Sequence, residues 1–221
     1  MARLLILNEC YPDDLLSGRD LRVYRLCSAL LRTHECFLVS FDSERHTKDL
    51  MPLDFADMVT LPGIRKTSPS FYRHFRLSNE HFLRDAWPHE YERSLNTVRD
   101  LQGKWEIEGI INFTGEMSEL VLPLTQPKLL DRADCDTLML ERRLAARSID
   151  MSISERFALR LSLHRQRHRE KGLVHGFNAV TTISEADRQK FIELSACDPS
   201  RIRIVKNGVD EVALDLGKRR N

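Results

Sequence analysis

No stretch of this 221-residue sequence approaches the roughly 18 consecutive apolar residues of a membrane span. Met1-Ala2-Arg3 leads straight into a strand-like run, which is not how a signal peptide begins. Cysteine is sparse, odd in number and scattered (Cys10, Cys27, Cys36, Cys135, Cys197). That spacing makes neither a disulfide framework nor a zinc site, and it fits a reduced, cytoplasmic setting. An excess charge of one sign is also lacking. Lys plus Arg number 34 against 33 Asp plus Glu, so there is no global field to attract nucleic acid. Two glycine signatures are missing as well. No G-x-G-x-x-G follows Leu7, and no G-x-x-x-x-G-K-[ST] occurs anywhere, which disfavours NAD-dependent and P-loop chemistry.

What remains reads as α/β. Leu4-Leu5-Ile6-Leu7 is a buried strand, followed by a polar loop with Pro12, Asp13 and Asp14 that ends at Ser17. Gly18 introduces a helix whose Val23, Cys27, Leu30 and Leu31 recur at i, i+4, i+7 and i+8. Cys36–Phe41 is the next strand, and Met58–Leu61, Gly109–Phe113 and Lys128–Leu130 are further ones. Strands alternating with helices along 221 residues predict a doubly wound parallel sheet, with ligands at the carboxyl ends of its strands.

The last forty residues are the most specific. Ala179–Ile183 is a β-branched run suited to burial on both faces. Ser184 and Asp187 form an S-x-x-D helix start, and Glu185 and Asp187 favour the positive helix end. The helix should run from Glu185 to about Ala196, with Asp198-Pro199 closing it. Ile202, Ile204 and Val205 give another strand, and Asn207-Gly208 turns the chain. In one sheet, such a strand–helix–strand unit implies a parallel pair with a right-handed crossover.

The order of these features resembles the N-terminal domain of family 4 glycosyltransferases, which have the GT-B architecture of two Rossmann-like domains, and is similar to exopolysaccharide-type sugar transferases. The residues that carry the resemblance are Leu4–Leu7 with the loop ending Ser17-Gly18-Arg19, the strand end Leu129-Leu130-Asp131 with Asp134 and Asp136, Thr182–Asp187, and Arg203–Asp210. The sequence departs from the family pattern at Ser17-Gly18, where a glycine pair is common. It also has Asp131 where many members place a histidine, and Lys206 where proline is usual. The fold implied is a Rossmann-like doubly wound parallel sheet forming one half of a GT-B enzyme. Residues 1–210 would be the acceptor-side domain and 211–221 a truncated interdomain linker, the C-terminal donor domain being absent because eleven residues follow Asp210 (221 − 210).

The resemblance implies substrate-binding residues at Gly18, Arg19, Thr114, Gly115, Glu116, Ser184, Glu185, Asn207 and Gly208. An N–H of Gly18 or Arg19 at a helix start can meet an anion, or Gly18 can simply let the loop turn while Arg19 is solvated. Asp131 is the candidate for a catalytic role; its ordinary alternative is a cap in an Asp-rich turn. A divalent ion at Asp131, Asp134 and Asp136 is chemically conceivable, but the resembling enzymes generally work without metal, so no metal or cofactor is expected beyond a nucleotide-sugar donor as substrate.

Two segments remain. From Phe71 to Tyr91, aromatics (Phe71, Tyr72, Phe75, Phe82, Trp87, Tyr91) interleave with Arg73, His74, Arg76, His81 and Arg84, reading either as acceptor or membrane-surface contacts or as helices packed by their aromatic faces. Ser152–Lys171 is a helix with Phe157, Leu161 and His164 on one side and Arg156, Arg160, Arg165, Arg167, Arg169 and Lys171 elsewhere, either solvated or drawn to a membrane surface. His164 and His168 have metal-compatible spacing, but Arg-Gln-Arg lies between them in place of the H-E-x-x-H glutamate.

The function expected is half of a hexosyltransferase moving a sugar, with retention, from a nucleotide donor to a saccharide or lipid-linked acceptor. The chain would be inactive alone and cytoplasmic, with peripheral contact at the inner membrane face allowed. Its expected partner is a missing or separate donor-binding domain, not nucleic acid. Two alternatives stay open: a stand-alone binding subunit that pairs with a separate donor domain, and a catalytically idle Rossmann-like interaction domain.

Overall fold

The computed structural model describes residues 1–12, 18–41, 53–62, 81–113, 115, 117–147 and 151–207. The apolar runs pair as seven strands: β1 (Arg3–Asn8), β2 (Glu35–Phe41), β3 (Asp57–Leu61), β4 (Gly109–Asn112), β5 (Lys128–Asp131), β6 (Ala179–Thr182) and β7 (Ile202–Ile204). Between them lie α1 (Gly18–Leu31), α2 (Phe82–Ala86), α3 (Pro88–Lys104), α4 (Ser118–Val121), α5 (Asp136–Arg147), α6 (Ile153–Gly176) and α7 (Glu185–Ser195), with a 3₁₀ turn at Pro199–Arg201. All six strand pairings are parallel and the order is β3-β2-β1-β4-β5-β6-β7. The order reverses between β1 and β4, so the crevice beyond their carboxyl ends is the topological switch point. This is the Rossmann-like sheet the sequence predicts.

Strand alternation divides the core between two faces. Leu5 and Leu7 of β1 join Phe37, Val39, Ile110, Leu130, Val180 and Ile202 on one face, covered by Leu95, Val98 and Leu101 of α3, Leu120 of α4, Leu173 of α6 and Phe191 of α7. Trp105 stacks on Phe37 with ring centroids 4.9 Å apart. Ile6, Cys36 and Leu38 point the other way, onto Val23 and Cys27 of α1. Near-continuous burial of β1 and β2 is what a sheet covered on both faces requires.

Three helix boundaries sharpen the sequence reading. Ser152 and Glu155 form a capping box at the start of α6, which then runs past Lys171 and through Gly172 to Gly176. Its packed side is Leu159, Leu163, Gln166, Glu170 and Leu173, while Phe157 and His164 face solvent, so the helix turns away from the core the side that Phe157 suggested. At the far end of α7, Ala196 takes the left-handed conformation (φ 50, ψ 31) and closes the helix on Ile192. Asp198-Pro199 therefore acts one step later, where Asp198 caps the 3₁₀ turn. Of the aromatic and basic segment, residues 71–80 lie outside the described ones. Tyr91 is buried in the larger core, and Phe82 meets Trp87 edge to face at 5.3 Å. At these positions the aromatics pack helices.

Candidate functional site

Asp131 ends β5 on the α1 face of the sheet, since Leu130 before it points into the larger core. In a parallel register Asp131 lies beside Thr181 of β6, whose hydroxyl donates to Asp131 Oδ1 at 2.5 Å. Arg22, one turn into α1, reaches the same carboxylate with both prongs: Nε to Oδ2 at 2.9 Å and Nη2 to Oδ1 at 2.7 Å. Its remaining prong, Nη1, donates to the carbonyl of Val205 at 2.8 Å and to Asn207 Oδ1 at 2.9 Å. Arg22 and Asp131 are both buried, 6 % exposed each. A fork-to-fork guanidinium–carboxylate pair is the strong, geometrically specific kind. It joins the start of α1, the end of β5 and the segment leaving β7.

Gly18 and Arg19 occupy the N-terminus of α1 and are exposed. Arg19 Nη2 lies 3.4 Å from the carbonyl of Phe113, which places this helix end over the carboxyl end of β4, at the switch point. Gly115 is buried beyond β4, and a Cβ there would meet Arg132 Nη1 at 3.3 Å and Arg169 Nη2 at 3.4 Å. The same residue lines a small pocket together with His81, Glu119, Leu122 and Arg169. Burial pushes the Glu119 carboxyl up to about 7, although the backbone N–H groups of Leu83 and Arg84 and the charge of Arg169 oppose the rise. A carboxyl half-protonated near neutrality can give or take a proton at the pocket wall.

Ser184 and Asp187 serve the framework. Ser184 Oγ accepts the N–H of Asp187 at 3.1 Å and donates back to its carboxylate, while Asp187 Oδ1 accepts the N–H of Cys135 at 3.0 Å. Glu170 of α6, wholly buried, accepts from the N–H groups of Asp136 (2.8 Å) and Thr137 (3.1 Å) and so caps α5. Glu185 is exposed and pairs with Arg188 at 3.1 Å. The three aspartates of the Asp-rich turn diverge: Asp131 goes to Arg22, Asp136 to Arg132 and Gln166, and Asp134 to solvent. Thr114, Glu116 and Gly208 lie outside the described residues.

The structure thus brings Asp131 and Asn207 into one cluster through Arg22, and leaves Gly115 in a separate pocket. Arg22 and Glu119 were not singled out from the sequence. The signal for Arg22 is a cation one position from the apolar stripe of α1, combined with a strand-end aspartate that burial obliges to find a partner. Arg19 and Arg25 stand on the same helix, and only the tertiary fold selects among the three.

No known family profile matches the chain, and no curated protein matches it in sequence. Solved structures do match in fold. A sucrose-phosphate synthase from Thermosynechococcus elongatus superposes with a TM-score of 0.58 at 9 % identity, over 95 % of this chain and 49 % of that one. A UDP-N-acetylglucosamine 2-epimerase from Rickettsia bellii gives 0.57 at 9 % identity, over 99 % and 48 %. HepE from Anabaena, solved in complex with UDP and glucose, gives 0.51 at 12 % identity, over 100 % and 52 %. The chain spans about half the length of these structures. At such identities the likeness establishes the fold: a Rossmann-like sheet matching one half of the GT-B proteins it resembles.

Proposed function

We propose that this chain is the acceptor-side half of a glycosyltransferase that uses a nucleotide-sugar donor, the other Rossmann-like half being supplied by further sequence or by a partner. The observation that carries the reading is the correspondence of the whole sheet, including its β1/β4 switch point, to half of proteins whose names include a sucrose-phosphate synthase and one holding UDP and glucose.

In this reading the helix end at Gly18 and Arg19 faces the transferred sugar and its phosphates, where orphan N–H groups and the helix dipole favour an anion. Gly115 and the exit at Asn207 line the acceptor side, while Ser184 and Glu185 hold the junction after β6. Asp131 has both oxygens engaged by Arg22 and Thr181, which suits orienting Arg22 and Asn207 better than accepting a proton. Transfer with retention, to a saccharide or lipid-linked acceptor, needs stabilisation of an oxocarbenium-like state more than a strong base. The proposal involves no metal and no cofactor.

The test is direct. Incubated with UDP- and GDP-sugars, the 221-residue chain should neither hydrolyse nor transfer, and should gain activity only when joined to a donor-binding domain. Clear turnover by the chain alone would sink the half-enzyme reading.

A further inference from the structure

Two arginines from different elements meet at one glycine. Gly115 stands just beyond the end of β4, Arg132 directly follows the last residue of β5, and Arg169 belongs to α6. A Cβ on Gly115 would lie 3.3 Å from Arg132 Nη1 and 3.4 Å from Arg169 Nη2, so both guanidinium heads press on the same bare Cα. The φ of Gly115 is outside the left-handed region, so the backbone does not call for glycine here. What the missing side chain gives is room.

Both heads are held in place. Arg132 Nη2 pairs with Asp136, whose carboxylate also accepts from Gln166 at 3.0 Å, and Nη1 is the prong next to Gly115. Arg132 Nε is buried and meets no acceptor among the described residues. Arg169 precedes Glu170, whose bonds to the α5 backbone fix α6 at this level and which lies 3.9 Å from Arg132 Nη2. Arg169 also lines the small pocket that opens beside Gly115, with His81 and Glu119. Burial keeps the Glu119 carboxyl at about 7, so the acid on this wall is only partly ionised at neutral pH.

We infer that the Gly115 pocket binds a phosphate group of the acceptor, held between Arg132 and Arg169. One guanidinium fork uses up the two oxygens of a carboxylate, whereas a tetrahedral phosphate keeps a further oxygen for a second fork. Two heads that approach one point from β5 and from α6 match that shape. Like charges at one carbon repel, and an anion between them turns the repulsion into attraction. The place suits a ligand too, because β4 and β5 both end here and ligands of such a sheet gather beyond the carboxyl ends of its strands. The inference rests on the proposed function only in naming an acceptor as the carrier of the phosphate; binding itself is read without sugar transfer.

The test is phosphorus NMR of inorganic phosphate and of glucose-6-phosphate with the full chain, at constant ionic strength. Both signals should broaden in the millimolar range, that of glucose-6-phosphate at least as strongly. Arg169→Gln should weaken this binding about tenfold, because a hydrogen bond to a charged group is lost. Arg169→Lys, which keeps the charge and loses the fork, should recover part of it. Gly115→Ala should weaken binding as well, since its methyl group would press between the two heads. Unchanged thermal unfolding of the variants separates lost binding from lost folding. No broadening of either signal overturns the proposal, as does undiminished binding by Arg169→Gln, which moves the phosphate to the helix end at Gly18 and Arg19. UDP bound more tightly than glucose-6-phosphate, and released by Arg169→Gln, gives the pocket to the donor and overturns the acceptor-side reading with it. If neutral glucose oligomers raise the unfolding midpoint while phosphate never binds, the phosphate inference alone falls.

Discussion

Arg22 illustrates how one side chain can hold three elements. Its guanidinium gives two bonds to Asp131, both away from water, and one each to the Val205 carbonyl and to Asn207 at the edge of the fold. Removing one partner of a buried pair strands the other charge, a loss of about 3–5 kcal/mol. Asp131→Asn should therefore lower unfolding stability by that order, as measured by urea titration. Arg22→Met should do the same. Replacing both, as Arg22→Met/Asp131→Leu, should recover much of the loss, since neither charge is then left unpaired. If the double variant is as unstable as the sum of the singles, the pair is not the coupled unit described here.

A second residue, Glu119, gives a pH signature. Its folded carboxyl titrates at about 7, against about 4.5 for an ordinary glutamate, because burial disfavours the anion. The folded state therefore binds more protons than the unfolded state between these values. By linkage, stability falls as pH rises from about 4.5 to about 7 and levels off above that. The carboxylate form still accepts from Leu83 and Arg84, so the fold survives the charge. Glu119→Gln should flatten this slope, seen as equal urea midpoints at pH 5 and pH 7.5. A slope unchanged in the variant places the titrating group elsewhere.

Among elements, α5 shows what sequence periodicity can and cannot reveal. Its N-terminus is capped by Glu170, which lies 34 residues later on α6, and the residue before it is held by Asp187 on α7. A local S-x-x-D signal made the Ser184 cap of α7 legible, because cap and helix are neighbours in sequence. Glu170 carries no such signal: in the sequence it is one more charge in a basic helix. Only the packing of α6 on α5 makes it a buried cap. Glu170→Leu should thus cost about 2–4 kcal/mol, since two backbone N–H groups lose their acceptor out of reach of water. Ser152→Ala, at an exposed cap, should cost about 1 kcal/mol. Urea midpoints of the two variants should differ in that order. The reverse order would mean that water replaces Glu170 at the cap.

Over the whole molecule, the inner strands could be read from short apolar runs because a parallel sheet covered on both faces leaves them largely apolar, whereas the edge strands β3 and β7 are exposed at Asp57, Met58, Thr60 and Arg203. The polar links across the ends of those strands could not, because they join residues up to 185 positions apart, as Arg22 does with Asn207. That distinction bears on ligands. If the sheet is the acceptor side of a divided cleft, saccharide acceptors should stabilise this chain, while a nucleotide should need the other half. A ligand present at about 100 times its dissociation constant adds about 2.7 kcal/mol to native stability. In a domain of this size that raises the midpoint of thermal unfolding by roughly 5 °C or more. Screened against oligosaccharides, lipid-linked sugar analogues, UDP and UDP-sugars, the chain should respond to members of the first two classes and not to the nucleotides alone. A shift produced by UDP alone would place nucleotide binding on this sheet, and no shift from any acceptor class would favour an interaction domain without a sugar site.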